Sequence, residues 1–477
     1  MKEKSIGKNV IYSMVTQVFS LVAPLLTAPY VARIFNAELI GAYSFSLANS
    51  QYFVLLECLG LHLYGSILIA ANRDDRKKTG KLFYEIMFLK TILLLVNLGA
   101  YGLFIIPNGT EMQRILSAIM IINIVGNGLD PTWLLSGLEE FKSIALRSIS
   151  VRVVNVVTVF LFINDASDIY LYAVIMQVAT MLSYLIIIPY ARKKVIWPGI
   201  KNINLISHLK PAAIYFIPGL VHTVFSSTDK TMLGLLSDSY EVGIYEQANK
   251  ISQICMNAIS AIGVVLLPRA TYLYHNSNDE KETNSMVYNS VQSVLFIALP
   301  ITLGITAISS DFVPLYFGKG YEKSIIVLNI LSFNVLFTSL SNICGNLCLV
   351  ARNKQGKYNI AICLAALMNI VLNTFFISTL KSIGAGIASV IASVISISII
   401  IYMSRDILNV VQLVLKSYKY LIASLLMYIT IKGMMMMTEG NILDIIIYVL
   451  FGAIVYFALL FILKDEFIYK MIKRKKR

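Results

Sequence analysis

Residues 383–404 read IGAGIASVIASVISISIIIYMS, twenty-two positions without a charged side chain. A helix of about 20 apolar residues crosses the ~30 Å hydrocarbon layer of a bilayer, so this stretch reads as a membrane span. Gly384, Ala388 and Ala392 recur every fourth residue and give it a small-residue stripe for close helix packing. Outward from it, thirteen more segments of the same character follow: roughly 10–33, 40–70, 82–106, 115–138, 143–163, 168–190, 211–236, 243–273, 287–308, 325–350, 360–380, 417–437 and 442–463. Hydrophobic residues make up 57% of the 477, only 14% are charged, and the mean hydropathy is +0.74. A soluble domain carries about 25% charge and has too little interior to hide this much apolar surface. Disorder and a globular cytosolic enzyme are both excluded. The expected fold class is an all-α integral membrane protein with about 14 transmembrane helices.

The net charge of +14 is distributed by topology. With the N-terminus inside, 30 Lys/Arg fall on inner segments and adjoining span ends, and 6 on outer ones: Arg33, Arg114, Lys319, Lys323, Lys381 and Lys432. That asymmetry is the positive-inside signature and places both termini on the cytoplasmic side of the plasma (inner) membrane. The basic excess then meets anionic headgroups of membrane lipids, and nucleic acid is not an expected partner.

Two octapeptides suggest an internal repeat. Asn36-Ala37-Glu38-Leu39-Ile40-Gly41-Ala42-Tyr43 follows the first span, and Asp238-Ser239-Tyr240-Glu241-Val242-Gly243-Ile244-Tyr245 follows the seventh, with the Gly-x-Tyr tripeptides offset by 202. Asn155 with Phe162-Ile163 matches Asn369 with Phe376-Ile377 at an offset of 214. Six spans per repeat is an even number, so both copies enter the membrane in the same direction. Parallel repeats of this kind build two-lobed transporters with the substrate site between the halves. The expected domains are residues 1–200 as an N-terminal six-helix lobe, 201–405 as a C-terminal lobe, and 406–477 as two additional helices with a basic cytoplasmic tail. The inner loop 191–210, with Arg192, Lys193, Lys194 and Trp197-Pro198, is the linker between the lobes.

Lys2, Lys4 and Lys8 precede the first apolar run as in a signal peptide, but no small-residue cleavage site follows, and the span reads as retained. Pro24, Pro29, Pro218 and Pro300 fall inside spans and bend them. Cys58, Cys255, Cys344, Cys348 and Cys363 also lie inside spans, which argues against a disulfide framework. Cys344 and Cys348 are one helical turn apart with no third ligand near, so they read as core residues rather than a metal site.

A charged side chain at mid-membrane is unfavourable by ~2.5–3.5 kcal/mol, so each one present needs an explanation. These are Glu57, Lys90, Asp130, Arg152, Asp229, Lys230, Glu246 and Lys250. Glu246 and Lys250 are spaced i,i+4 and predict an ion pair on one helix face. Each pair can neutralise itself and fix packing. Alternatively, such a set lines a water-filled cavity, where fixed cations suit an anionic headgroup and carboxylates suit a coupling H+ or Na+. Arg33 and Arg269 lie near opposite membrane faces. The intramembrane amides, among them Gln17, Asn49, Asn123, Asn127, Asn249 and Asn334, suit sugar hydroxyls, and any one of them equally suits a bridge between helices. His62, His208, His222 and His275 are scattered, no phosphate-cradling Gly-rich loop occurs, and outer loops run to only about 16 residues. No catalytic constellation and no cofactor is expected.

Three stretches together resemble the polysaccharide (O-antigen type, Wzx-like) flippases of the MATE-like superfamily. They are Pro24-Leu25-Leu26-Thr27-Ala28-Pro29-Tyr30-Val31-Ala32-Arg33; Asp130-x-x-Trp133-x-x-x-Gly137-x-Glu139-x-Phe141-Lys142; and Asp229-Lys230-Thr231-Met232-Leu233-Gly234 with Val242-Gly243-Ile244-Tyr245-Glu246. Val265-Leu266-Leu267-Pro268-Arg269 ends the eighth span in the family's manner. Ile67-Leu68 departs from the pattern, since relatives often have an Arg-Glu pair there, and Arg73 or Arg269 would have to replace that cation. The resemblance implies a non-enzymatic flippase for a polyprenyl-diphosphate-linked oligosaccharide, with other polysaccharide-assembly proteins as partners. On this reading Arg33, Lys230, Lys250 and Arg269 are candidates for the diphosphate, Arg33 and Lys230 approaching from opposite lobes. Glu57, Asp130, Arg152, Asp229 and Glu246 are candidates for coupling or charge pairing. Two rivals are a MATE-type exporter, whose cavity would be acidic and aromatic, and a membrane glycan polymerase or ligase, disfavoured by the short outer loops.

Overall fold

The computed structural model describes residues 6–197, 199, 203–276, 280–438 and 440–465. Lys2 and Lys4, Pro198 of the linker and the basic tail 466–477 lie outside the described residues. Within them the chain is helical throughout and forms no strand. It divides into two compact units, Met1–Gly243 and Ile244–Arg477.

The first unit holds α1 (Ile6–Ile34), α2 (Ala37–Cys58), α3 (Leu61–Ala71), α4 (Arg76–Phe104), α5 (Glu111–Ile119), α6 (Ile121–Gly128), α7 (Thr132–Gly137), α8 (Phe141–Phe162), α9 (Ile169–Arg192) and α10 (Leu209–Leu236). The helix α11 (Ser239–Asn276) starts in this unit and continues into the second. There follow α12 (Glu280–Phe317), α13 (Lys323–Cys344), α14 (Gln355–Leu380), α15 (Ser382–Met403), α16 (Val410–Met435) and α17 (Ile442–Ile462). Eleven helical stretches among the described residues are long and apolar enough to cross a membrane. Their outward faces are apolar, with Leu103, Ile186 and Phe375 all more than half exposed, as lipid-facing surface requires.

Caps set the ends. Asn36 accepts the N–H of Leu39 at the start of α2, and Asp75 accepts those of Lys77 and Lys78 at the start of α4. Thr110 forms a capping box with Gln113 on α5. Prolines Pro24 and Pro29 lie within α1, and Pro300 within α12.

Two expected single spans are broken. The second divides at Leu59–Gly60, both in the left-handed region with φ of 38° and 74°. The fourth divides into α5, α6 and α7, with the last break at Leu129–Pro131. Pro131 offers no N–H to continue the helix, and Asp130 restarts it by accepting from Thr132.

In the second unit α15 packs on α13 and α14, and α16 and α17 pack on α12. The stripe Gly384, Ala388, Ala392 is buried, Gly384 so closely that a methyl there would lie 2.1 Å from the Phe376 carbonyl oxygen. Cys344 and Cys348 sit in the apolar core of this unit, where α13 runs on through a π-helical turn, Gly345–Leu349.

Candidate functional site

The break at Leu59–Gly60 organises the polar interior of the first unit. Gly60 has no side chain because α10 passes over it: a methyl would lie 2.3 Å from the Ala212 carbonyl oxygen. Above the break, α2 turns a polar face to α10 and α6. Thr231 donates to Asn49 (3.1 Å), and the hydroxyls of Tyr52 and Thr228 are 3.0 Å apart. Asn123 donates to Ser50 (2.9 Å), and Asn127 to Asn123 (3.0 Å). Asn49 and Asn123 bridge helices, as one of their two sequence readings has it, and Asn127 bonds within α6. Helix α10 packs on α2 and α3. Arg33, Glu57, Asp229 and Lys230 all fall within Met1–Gly243.

In the last turn of α2, Glu57 is fully buried, and neither carboxylate oxygen has a hydrogen-bond partner among the described residues. Lys90 on α4 lies within electrostatic reach but directs its charge elsewhere. Its buried ammonium donates to the carbonyl oxygens of Asn127 (3.0 Å) and Asp130 (3.3 Å), groups freed by the break before α7. The Asn127 oxygen also accepts the Asp130 N–H (3.1 Å), and a cation at a helix C-terminus favours the negative end of the dipole. Asp130 is equally committed, accepting from the Thr132 N–H and hydroxyl (2.8 Å each), with His62 at 3.8 Å.

The Asp130–Phe141 motif is an anchor for α7. Trp133 is buried against Gly65, whose missing side chain leaves room for the indole, and against Phe83. Gly137 brings α7 onto α3, where a methyl would lie 2.6 Å from the Ser66 carbonyl oxygen. Glu139, in the left-handed region, pairs with Arg73 at 2.6 Å, both side chains half-exposed. Glu140 accepts from Lys194 (2.8 Å) and Tyr190 (3.2 Å); Phe141, half-buried, opens α8. The hydrogen bond to Glu140 raises the Lys194 pKa, so this ion pair persists across the neutral range. Gly234 lies against the Phe45 ring.

The remaining candidates are dispersed. Arg33 is exposed in the last turn of α1. Asp229 is buried and Lys230 half-buried on α10. Arg152 donates to the Ser148 carbonyl (3.3 Å) on its own helix. In the second unit Glu246 and Lys250 form the expected pair at 3.8 Å, and Arg269 is exposed. One polar cluster escaped the sequence reading. His208 is buried between Glu85 (3.0 Å) and the Tyr64 hydroxyl (3.0 Å), and Glu85 also accepts the Asn204 N–H at 2.7 Å. Its partners lie 123 and 144 positions away, so no local spacing could announce it.

The family model described as "Polysaccharide biosynthesis protein" matches residues 6–274, more than half of the chain. The chain belongs to that family. This polysaccharide biosynthesis protein is 25% identical over 416 residues to the "Putative O-antigen transporter" of Escherichia coli (strain K12), covering 84% of this chain and 97% of the relative. It is 23% identical over 364 residues to "Capsular polysaccharide biosynthesis protein CapF" of Staphylococcus aureus, covering 74% of this chain and 87% of that one. Its fold matches that of lipid II flippase MurJ in an inward closed conformation, with a TM-score of 0.76, 16% identity, and coverage of 96% of this chain and 99% of that. An inward-facing multidrug resistance MATE family transporter matches with a TM-score of 0.65, 13% identity, and coverage of 84% and 98%. The polysaccharide biosynthesis protein is thus a multi-pass membrane protein with a MurJ- and MATE-like fold.

Proposed function

We propose that the protein is a flippase that carries a polyprenyl-diphosphate-linked oligosaccharide from the cytoplasmic to the outer leaflet by alternating access, for surface polysaccharide biosynthesis. The observation that carries this reading is the interrupted second span with its polar face. Irregular backbone at membrane depth is tolerated where it is buried in protein or lines a cavity. Here it interrupts α2–α3 beside Asn49, Tyr52 and Glu57, inside helices whose outer faces are apolar. The family match over residues 6–274 supplies the glycan class and weighs against a drug exporter, which the fold alone would accommodate.

In this reading the chain has fourteen spans, α10, α11 and α16 joining the eleven apolar stretches, arranged as two six-helix repeats with α16 and α17 appended. Both termini are cytoplasmic in the plasma membrane, and other polysaccharide-assembly proteins supply and take up the glycan. Arg33 and Lys230 hold the diphosphate, which needs counter-charge on entering a low-dielectric region. Lys250 and Arg269 assist along its path. Glu57 carries the coupling ion, because a buried carboxylate without hydrogen bonds gains most from a proton or cation that arrives and leaves. No covalent bond is made or broken.

The test is a reconstituted assay with a lipid-linked oligosaccharide, reading sugar exposed on the far leaflet with and without ion gradients. Wild-type protein should translocate it. Glu57→Gln, at matched protein levels, should lose the response to the gradient, and Lys230→Gln should flip at least tenfold more slowly without rescue by Asp229→Asn. Recovery in the double mutant would make Lys230 a structural partner of Asp229. Transport of a cationic drug in place of the glycolipid would overturn the flippase reading.

A further inference from the structure

A groove of about 530 Å³ runs between α8 and α9 in the first unit, apart from the polar face of α2. Its walls are single helix faces: positions 143, 147, 150, 151 and 154 of α8, and 179, 182, 183, 186, 187 and 190 of α9. From Ser143 to Val154 is eleven residues, about 16 Å of helix. That is close to half the ~30 Å hydrocarbon thickness, the depth of one leaflet. The groove is graded along its length. Ser143, Arg147 and Tyr190 occupy the end near the start of α8, and Val151, Val154 and Leu182 the far end. Its rims belong to the apolar outer surface, with Ile186 77% exposed.

Charge is in excess at the polar end. The Arg147 guanidinium lies over the Tyr184 ring, 4.5 Å from its centroid, hydrogen-bonds the Tyr184 side chain, and makes a long hydrogen bond to Ser148 (3.4 Å). Its Nε is buried without a hydrogen-bond partner, and no carboxylate forms a salt bridge with it among the described residues. Arg152 adds a second positive charge nearby on α8. The neighbouring carboxylates are already engaged, Asp130 by Thr132 and Glu140 by Lys194. A buried cation without a carboxylate partner thus stands at one end of walls shaped for hydrocarbon.

We propose that this groove binds one anionic phospholipid of the leaflet bordering Phe141, with its phosphate on Arg147 and an acyl chain along Val151, Val154 and Leu182. One guanidinium matches one phosphodiester, and one leaflet's depth matches one acyl chain. The lipid is a resident of the protein rather than its cargo, and the inference stands whether or not the chain flips glycolipids.

The full-length protein, in phosphatidylcholine vesicles with a trace of phosphatidylglycerol carrying a photoreactive acyl chain, provides the test. Adducts should map by peptide mass spectrometry to 143–154 and 179–190. Excess unlabelled phosphatidylglycerol should remove them, and equal phosphatidylcholine should not. Arg147→Gln should reduce labelling of these peptides roughly tenfold, as expected for losing a charged hydrogen bond, and Arg147→Lys should restore part of it. Adducts confined to other helices, or equal competition by phosphatidylcholine, would overturn the proposal, and both are read on the wild-type protein. Displacement by a polyprenyl diphosphate at lower concentration than by phosphatidylglycerol would also overturn it, making the groove part of the cargo's route.

Discussion

Replacing Lys90 with methionine keeps the length of the side chain and removes its three donors. The Asp130 carbonyl oxygen would then lose its Lys90 donor at the break before α7, and the Asn127 oxygen would keep only the Asp130 N–H (3.1 Å). Lys90→Met should therefore destabilise the protein by about 1–3 kcal/mol, seen as a lower unfolding temperature in detergent. An unchanged transition would mean that those carbonyls find other donors. Asp406 is the opposite case, a charge near the surface. Burial pushes its carboxyl up, but the hydrogen bond and charge of Arg352 at 2.6 Å, with Lys354 at 3.9 Å, outweigh that and hold it below the usual aspartate range. A depressed carboxyl contributes stability that is present above its unfolded value of about 3.9 and is lost as pH falls through the folded value. With the Asp406 side chain 47% exposed, screening keeps that contribution within about 1 kcal/mol. Asp406→Asn should lower stability slightly and equally at pH 5 and pH 8, and the difference from wild type should shrink as the pH falls below about 4. A gap that widens between pH 5 and pH 8 would contradict this.

At the scale of helices, the two Gly-x-Tyr sites meet in a close backbone approach. A methyl on Gly41 would lie 1.6 Å from the Ser239 carbonyl oxygen, and one on Gly243 would lie 1.8 Å from that of Ala37. The first turns of α2 and α11 thus touch backbone to backbone, each glycine against the other helix. Gly41→Ala should cost at least about 1–3 kcal/mol by overpacking. Gly102→Ala is its control, since nothing lies within 4 Å and a helix gains from losing glycine. Thermal stability of the purified variants should separate the two; equal values would show that the crossing yields easily. These contacts also mark what the sequence made legible. The tyrosines of the same tripeptides each bond within their own unit, Tyr43 with Gln177 (3.1 Å) and Tyr245 with Ser389 (3.5 Å). The apolar spans and the Glu246–Lys250 pair were readable because each depends on local spacing alone. The breaks were not, because Cys58-Leu59-Gly60-Leu61 keeps an apolar character across the interruption, and Asp130-Pro131 lies in a run that is apolar on both sides. Gly60 and the Asp-Pro-Thr start of α7 were the signals present. Lys90 looked like one half of a charge pair, whereas its partners are main-chain oxygens that no side-chain pattern reveals.

For the molecule as a whole, those main-chain partners bear on the order in which it is made. Lys90 is synthesised some forty residues before the carbonyl oxygens that receive it. Until the stretch through Asp130 has left the ribosome, the third span carries an unmatched ammonium at a position that costs ~2.5–3.5 kcal/mol in lipid. That span is a poor independent passenger, and it should commit to the bilayer only together with the fourth. Nascent chains truncated after residue 110 should integrate the third span inefficiently in a glycosylation-tag insertion assay. Chains extended beyond residue 140, or short chains carrying Lys90→Met, should integrate it well. Equal integration of the short wild-type chain would show that Lys90 finds water or headgroups while it waits. If it does not, the salt-free bond that closes the break in the fourth span also times membrane entry, pairing two helices at the translocon before either is released to lipid.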